Sequence, residues 1–284
     1  MKVALKKGAT LGFGSFVRYS TISHSSKTYV YWLQSTVYRA TEQGTGRVVA
    51  LKQSRVSLRV RRTLLQHEAR VLRLLSGHPA IPQVFAYGRM KHFEIFSMEL
   101  LGRTLRDIVD EQGPLSITTG LDLAGQLLSA LEYIHGRGLV HRDIKPENIV
   151  IIPGSWNIRL IDFGFAYPAP TEIPAAQNKT NAAEFKTVFG TLPYASMNAH
   201  EGLRLTYRDD LESLAYTFLF LLRGNLPWSD YTVNGTVYAQ IRQVREQKRR
   251  RTGSDLAVGL PIEFGELVEY ARFLPAHEMP NYQE

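Results

Sequence analysis

The spacing of hydrophobic residues divides the chain into a strand-like first part and a helical second part. Short apolar runs predict strands at residues 48–52 and 93–98. Between them, residues 59–75 place leucines and a valine at helical spacing among arginines, which predicts one helix with a basic solvent face. The sequence Gly77-His78-Pro79 then provides a stop signal for that helix.

After residue 100 the helical spacing dominates. Apolar residues from about 118 to 136 predict a long helix, and short strands are expected around 149–152 and 158–161. The apolar run at residues 214–222 is much shorter than the roughly 20 residues of a membrane-spanning helix, so it predicts a buried helix. A strand-rich smaller part before a larger helical part predicts an α+β fold with two lobes.

Composition excludes some classes of protein without selecting a function. The chain has 284 residues, 44% hydrophobic and 21% charged, which is typical of a soluble globular protein. Its net charge of +8 is compatible with acidic substrates, phosphate ligands or nucleic acid. The absence of cysteine excludes disulfides and cysteine-bound metal. The basic run at residues 248–251 is either a nuclear signal or, as we favour, a solvated charge run.

Two short motifs carry the chemistry that the sequence indicates. Residues 141–148 read HRDIKPEN and residues 162–164 read DFG, with 19 residues from Asp143 to Asp162. The pair resembles the catalytic and metal-binding loops of protein kinases. The alternative, a polar loop between two apolar strands, would require a chance match to both motifs at this spacing.

The residue types in these motifs fit phosphoryl transfer. That reaction needs a carboxylate to orient the acceptor hydroxyl, positive charge to offset the phosphates, and oxygen ligands for Mg²⁺. Asp143 suits the first role and Lys145 the second. Asn148 and Asp162 are the expected metal ligands.

A second group of residues predicts an ATP site. Gly12, Gly14 and Ser15 begin a glycine-rich loop, in which glycine lets the backbone approach phosphates closely, although a tight hairpin would need glycine too. Lys52 ends a strand that resembles the kinase strand whose lysine contacts the α- and β-phosphates. Glu68 follows 16 residues later, where the ion-pair partner of that lysine is expected. Taken alone, these two charges would more often lie on the surface.

The glycine-rich loop is interrupted by residues 17–34. Removing them leaves GFGSFSTVYRA, in which Ser35 takes the place of the third glycine and Val37 that of the valine in the kinase pattern. We hypothesise a short unspliced intron translated in frame; a natural insertion at a hairpin tip is the alternative. Because the tip must cover the phosphates, a catalytically impaired, kinase-shaped binding module is the alternative to an active enzyme.

Four further segments narrow the family. They are residues 98–102 (MELLG), 190–200 (GTLPYASMNAH), 208–214 (RDDLESL) and 226–228 (LPW). Together they resemble the hinge, the end of the activation segment and two C-terminal motifs of the casein kinase 1 family of serine/threonine kinases. The resemblance covers roughly residues 8–282, and it implies an enzyme that uses ATP and Mg²⁺.

The resemblance also assigns residues to adenine. Met98 would be the gatekeeper, and Glu99 and Leu101 would give backbone contacts from the hinge. Ala50 and Val37 would enclose the base from two sides. In the second lobe, Thr191 would hydrogen-bond near Asp143 and Lys145. Asp210 would anchor the catalytic loop, and a role as helix N-cap before Leu211 is compatible with that.

The implied fold is a two-lobed protein kinase, with a small antiparallel-sheet N-lobe containing one main helix and a larger, mostly helical C-lobe. The kinase domain would fill residues 1–284: an N-lobe at 1–98 with the insert 17–34, a hinge at 99–102, and a C-lobe at 103–284 without the family's last helix.

The expected partners are protein substrates, acidic or phosphorylated ones among them. Pro193 replaces a family arginine, Lys186 keeps the spacing of a second basic residue, and residues 229–231 lack a third, so a preference for phosphorylated substrates stays open. We expect a monomer without specific nucleic-acid or membrane binding, located in the cytoplasm, the nucleus or both, since residues 1–16 lack an apolar signal segment.

Overall fold

The chain forms two compact units in the computed structural model. The first comprises Met1–Ser76 and Pro82–Leu101, and the second comprises Gly77–Ile81 and Gly102–Glu284. The structure describes residues 5–13, 17–20, 30–33, 35–56, 60, 62–90, 92–170, 188–232 and 235–283.

The first unit is built on a five-stranded antiparallel sheet. The strands are β1 (Leu5–Phe13), β4 (Ser35–Glu42), β5 (Val48–Arg55), β6 (Val84–Arg89) and β7 (Phe93–Glu99). Their order across the sheet is β1-β4-β5-β7-β6. The apolar run Val49-Ala50-Leu51 is buried in the central strand β5, which explains why the sequence there has lost its polar alternation.

One helix, α1 (Leu64–Leu74), accompanies this sheet. Thr63 caps it by accepting a hydrogen bond from the amide of Gln66, so the helix begins later than residue 59, where the leucine pattern was expected to start. The buried residues Leu65, Ala69 and Leu72 form its apolar stripe.

The two described segments of the insert pair with each other as a separate two-stranded sheet. Strand β2 (Val17–Ser20) pairs antiparallel with β3 (Val30–Leu33). The insert interrupts the connection between β1 and β4, where Phe13 pairs with Thr36. This is a hairpin tip, which is where chains tolerate insertions best. The origin of the insert from an unspliced intron stays a hypothesis.

The second unit is mainly helical, as expected. Its helices are α2 (Leu105–Gln112), α3 (Ile117–His135), α4 (Met197–His200), α5 (Tyr207–Arg223), α6 (Val237–Arg249), α7 (Gly253–Ala257) and α8 (Glu263–Phe273). Two short antiparallel pairs accompany them: β8 (Leu139–Val140) with β11 (Tyr167–Pro168), and β9 (Ile149–Ile151) with β10 (Ile158–Leu160). A fold of one antiparallel sheet unit and one helical unit confirms the predicted two-lobed α+β class.

Helix α5 is the core of the second unit. Every residue from Leu214 to Leu222 is buried, which confirms the buried helix predicted at this apolar run. Close contacts hold α7 and α8 together nearby: a Cβ built on Gly253 would lie 2.1 Å from the carbonyl oxygen of Gly265, so only glycine allows this approach. None of the helices in the described part of the chain is both long and apolar enough to cross a membrane.

Candidate active site

The loop that follows β8 carries the HRDIKPEN sequence. Val140 ends the strand, and Arg142 then turns the chain with a positive φ of 71°, a conformation that a non-glycine residue adopts only at some cost. A 3₁₀ turn at Pro146–Asn148 closes the loop, where proline suits the first position because it has no amide hydrogen to satisfy. The loop therefore has a fixed backbone shape rather than that of a flexible linker.

A buried carboxylate on α5 holds this loop. Asp210 accepts hydrogen bonds from the backbone amides of His141 and Arg142, both at 2.7 Å, and lies 3.0 Å from Nε2 of His135. Burial by itself would raise the pKa of Asp210, but the hydrogen bond and charge of His135 and the backbone bond outweigh it and lower the pKa. The predicted contact of Asp210 with the catalytic loop is present, and Thr206 is the N-cap of α5 instead.

The ring of His141 connects the HRD loop to the DFG loop. Its Nδ1 accepts from the amide of Asp143 at 3.3 Å, and its Nε2 lies 3.1 Å from the carbonyl oxygen of Ile161. Burial lowers the pKa of His141 against the opposing effect of nearby carboxylates, so the neutral ring bridges the two loops. Its edge also meets the buried ring of Phe163, at 4.7 Å between centroids.

Asp143, Lys145 and Thr191 form the central cluster of the site. The hydroxyl of Thr191 donates to Oδ1 of Asp143 at 2.7 Å, and Nζ of Lys145 donates to that hydroxyl at 2.8 Å. The same ammonium group lies 2.8 Å from Oδ2 of Asp143. Asp143 and Lys145 are almost completely buried, so the charges interact in a medium of low dielectric constant. Lys145 and Thr191 thus each bind one oxygen of the carboxylate.

The approach of the segment that carries Thr191 to this cluster depends on Gly190. Its φ of +84° is in the left-handed region, and a Cβ there would lie 2.9 Å from the carbonyl oxygen of Arg142. Beside the cluster is a small open depression, lined by Asp143, Thr191, Tyr194 and other residues of these segments. Asp143 therefore borders a space next to the segment that carries Thr191.

Of the two residues predicted to bind metal, Asn148 contacts Asp143, and Asp162 directly precedes the 3₁₀ turn at Phe163–Phe165. The side-chain amide nitrogen of Asn148 donates to the carbonyl oxygen of Asp143 at 2.8 Å and to Oδ2 at 3.2 Å, which directs the amide oxygen of Asn148 to other ligands. Asp162 adopts a left-handed backbone with φ of 65°. Among the described residues, no group of three or more His, Cys, Asp or Glu could hold a metal alone. Mg²⁺ needs only one or two protein carboxylates when phosphates complete its shell, so this donor set fits it.

In the first unit, the predicted lysine–glutamate pair is formed. Nζ of Lys52 on β5 lies 2.8 and 3.0 Å from the two carboxylate oxygens of Glu68 on α1. The side chains are 14% and 5% exposed, so this is a partly buried ion pair rather than a surface contact.

The register of the sheet brings most of the predicted adenine and phosphate residues onto one face. Val37 on β4 pairs with Lys52, and Ala50 pairs with Met98 on β7. Since alternate residues of a strand share a face, Ala50 and Lys52 point to the same side. The backbone of Gly12 on β1 pairs in turn with Val37. Four predicted side chains therefore share a continuous surface of the sheet.

For the remaining residues predicted to bind the nucleotide, the structure gives backbone positions at the hinge and no description of part of the glycine-rich loop. Glu99 ends β7, and its amide donates to the carbonyl oxygen of Gln83 at 2.9 Å. Leu101 is half-buried and ends the first unit. Gly14 and Ser15 lie outside the described residues, as do Lys186 and the rest of residues 171–187.

The comparison with family models shows to which protein family the chain belongs. A model of the protein kinase domain matches residues 34–264, which is more than half of the chain. The chain belongs to the protein kinase family. Members of this family generally use ATP and Mg²⁺ and act on protein substrates.

Within the kinases, the chain is similar to casein kinase I proteins of yeasts. Casein kinase I homologs 1 and 2 of Saccharomyces cerevisiae and casein kinase I homolog RAG8 of Kluyveromyces lactis are each 35% identical to it over 224 residues, or 77% of this chain. The chain spans 41%, 40% and 41% of the lengths of these relatives. The similarity confirms the casein kinase 1 family that the sequence motifs suggested.

Nearly all of the insert lies outside the part of the kinase domain that matches the family model. The match begins at residue 34, so the beginning of the glycine-rich loop at Gly12 and all of the insert except its last residue precede it. Neither the comparisons nor the contacts of the described residues favour the impaired alternative.

Sequence reasoning missed a role for Arg142 of the kinase motif. Its Nε donates to the carbonyl oxygen of Phe165 at 2.6 Å, and its guanidinium lies over the rings of Phe189 (4.3 Å) and Tyr167 (5.0 Å). Arg142 thus ties the catalytic loop to both ends of the activation segment. The two aromatic residues flank a long segment, and only the tertiary fold brings them together.

One expectation about charge was wrong. Residues 248–251 were expected to form a solvated charge run, yet Lys248 is completely buried. Its ammonium group lies over the rings of both Tyr216 and Trp228, at 4.7 and 5.0 Å from their centroids. The run belongs to the end of α6 and turns one basic residue inward, while Arg249 and Arg250 remain exposed.

Proposed function

We propose that the chain is a serine/threonine protein kinase of the casein kinase 1 type, which transfers the γ-phosphoryl group of ATP to hydroxyl groups of proteins. The observation that carries this proposal is the cluster of Asp143, Lys145 and Thr191, in which a buried carboxylate is held by a lysine and a threonine hydroxyl. The family to which the chain belongs supports it.

In this proposal Asp143 orients the acceptor hydroxyl and accepts its proton. Lys145 offsets the negative charge that gathers on the transferred group, and Thr191 fixes the orientation of both side chains. The lysine two residues after Asp143 supports serine and threonine as acceptors rather than tyrosine.

On the nucleotide side, Lys52 would contact the α- and β-phosphates while Glu68 holds its ammonium group in place. Val37 and Ala50 would pack against the adenine ring, with Met98 as gatekeeper. Backbone groups of Glu99 and Leu101 would bind the adenine edge, and those of Gly12, Gly14 and Ser15 would approach the phosphates.

Asn148 and Asp162 would hold Mg²⁺ through their side-chain oxygens. When bound, the metal ion neutralises phosphate charge and orients the transferred group. Asn148 also donates to Asp143, so one side chain would link the metal site to the acceptor site.

The substrates that we propose are proteins with serine or threonine near acidic or phosphorylated residues. The names of the yeast relatives and the positive charge of the chain support this choice. Pro193 in place of the family's arginine argues for a weaker preference for phosphorylated sites. We further propose a monomer that acts in the cytoplasm or nucleus.

The test is phosphate transfer from labelled ATP to casein and to an acidic serine peptide. It compares the chain, a variant lacking residues 17–34, and Asp162→Asn in each background. Transfer that disappears with Asp162→Asn is the expected result. ATP binding without transfer in either background would overturn the enzymatic proposal and support the binding module.

A further inference from the structure

The loop at residues 191–195 is held by the buried side chains of Lys248 and Trp228. Nζ of Lys248 on α6 donates to the carbonyl oxygens of Leu192 at 3.1 Å and Ala195 at 2.6 Å. The indole nitrogen of Trp228 donates to the carbonyl oxygen of Pro193 at 2.8 Å. Three of the five carbonyls in this loop therefore bind to only two side chains.

The amino group of Lys248 is surrounded by hydrogen-bond partners and by two aromatic rings. The ammonium group has three hydrogens, and its third partner is Nε2 of His200 at 3.3 Å. The rings of Tyr216 and Trp228 present their electron-rich faces to it. Burial lowers the pKa of Lys248 well below its ordinary value; the carboxylate of Glu212 opposes that effect and the charge of Arg272 adds to it. Lys248, whose burial is costly, thus has one hydrogen-bond partner for each of its three ammonium hydrogens.

The same helix region is fixed by a second network. Arg272 on α8 donates to Glu212 at 3.3 Å, to the hydroxyl of Tyr216 at 2.8 Å and to the carbonyl oxygen of Lys248 at 3.0 Å. These bonds hold the backbone at Lys248, so its side chain has a rigid base. Rigid support is what a positioning contact requires.

We propose that Lys248 is a positioning residue for phosphoryl transfer: it holds the loop at residues 191–195 so that the hydroxyl of Thr191 stays against Asp143 and Lys145. The chain of contacts runs from Lys248 to the carbonyls of Leu192 and Ala195, and from Thr191 to Asp143. This inference rests on the proposed kinase function, and it assigns Lys248 no contact with substrate.

A double-mutant cycle with Thr191 tests this coupling. Lys248→Met keeps the length and apolar stem of the side chain but removes its donors, so we expect kcat to fall about tenfold while KM for ATP stays within about twofold. If Lys248 acts through Thr191, then Lys248→Met has almost no further effect in the Thr191→Ala background. Losses that multiply in the double variant would overturn the proposal.

The matched control is Arg250→Met, which removes a basic residue from the exposed end of the same helix. Its kcat should equal that of the unmodified chain, because an exposed ion pair contributes little. If Lys248→Met behaves like this control, the proposal is wrong. If Lys248→Met does not fold, the cycle is run with Lys248→Gln, which retains a donor, under the same criteria.

Hydrogen exchange supplies a readout that does not depend on activity. The amides of Tyr194 and Ala195 both donate to the carbonyl oxygen of Thr191 at 2.9 Å. Lys248→Met should accelerate the exchange of these two amides by about tenfold relative to Arg250→Met, while exchange in α6 should change little. Unchanged exchange in this loop would overturn the proposed role of Lys248. If the unmodified chain transfers no phosphate, the proposed function fails while this measurement still decides the role of Lys248.

Discussion

Deleting residues 17–34 tests how strongly the insert weakens nucleotide binding. Phe13 and Thr36 are paired, so residues 14–35 form a connection of 22 residues, which the deletion shortens to four. The closure entropy grows as (3/2)RT ln n, and the shorter connection is favoured by about 1.5 kcal/mol, or about tenfold in an equilibrium constant. The pairing of β2 with β3 offsets part of this difference.

Two measurements on each variant show whether this free-energy difference appears in nucleotide binding or in the stability of the free protein. Calorimetric titration with Mg²⁺ and a non-hydrolysable ATP analogue should show up to about tenfold tighter binding after deletion. Any part of the free-energy difference that stabilises the protein without nucleotide should instead appear as a higher temperature of thermal unfolding. An 18-residue glycine–serine replacement is the control, because it keeps the length and removes the bulky side chains. Equal affinity and equal stability of the original and deleted chains would refute the reasoning.

Three further substitutions test individual contacts. Thr191→Ala should lower kcat about 10- to 100-fold in steady-state assays without changing KM for ATP, and Thr191→Ser should restore the rate, because only the hydroxyl bonds to Asp143. Lys52→Met should lower kcat/KM for ATP by about 10² or more, whereas Glu68→Gln, which keeps a hydrogen-bond acceptor, should cost about tenfold; equal losses would argue against an orienting role for Glu68. Asp210→Asn should destabilise the protein by about 2–4 kcal/mol at pH 7 in urea unfolding. Because the folded-state pKa of Asp210 is lowered from 3.8, this stabilisation is present above about pH 4 and is lost as the pH falls through the folded value, so a difference that stays constant down to pH 3 would contradict the assignment.

The catalytic loops could be predicted because their chemistry depends on residues close together in sequence. Asp143, Lys145 and Asn148 fall within six positions, and a single turn of chain brings them together. The pairing of Lys52 with Glu68 was also predictable, since a strand followed by one helix leaves few arrangements. In these cases a local pattern and a known reaction were sufficient.

Other features depend on contacts that no local pattern reports. Lys248 stands in a run of four basic residues, and such runs are usually solvated. Its burial follows from the positions of Trp228, Tyr216 and the loop after Thr191, which are far apart in sequence. The same holds for the stacking of Arg142 on two aromatic rings.

The most direct test of the central claim is the single-turnover rate of phosphate transfer by Asp143→Asn. The substitution keeps the size of the side chain but removes the charge that would orient the acceptor and accept its proton. We predict a rate at least about 10³-fold below that of the unmodified chain, with affinity for the ATP analogue changed by no more than about threefold. Transfer by Asp143→Asn at the unmodified rate would contradict the account.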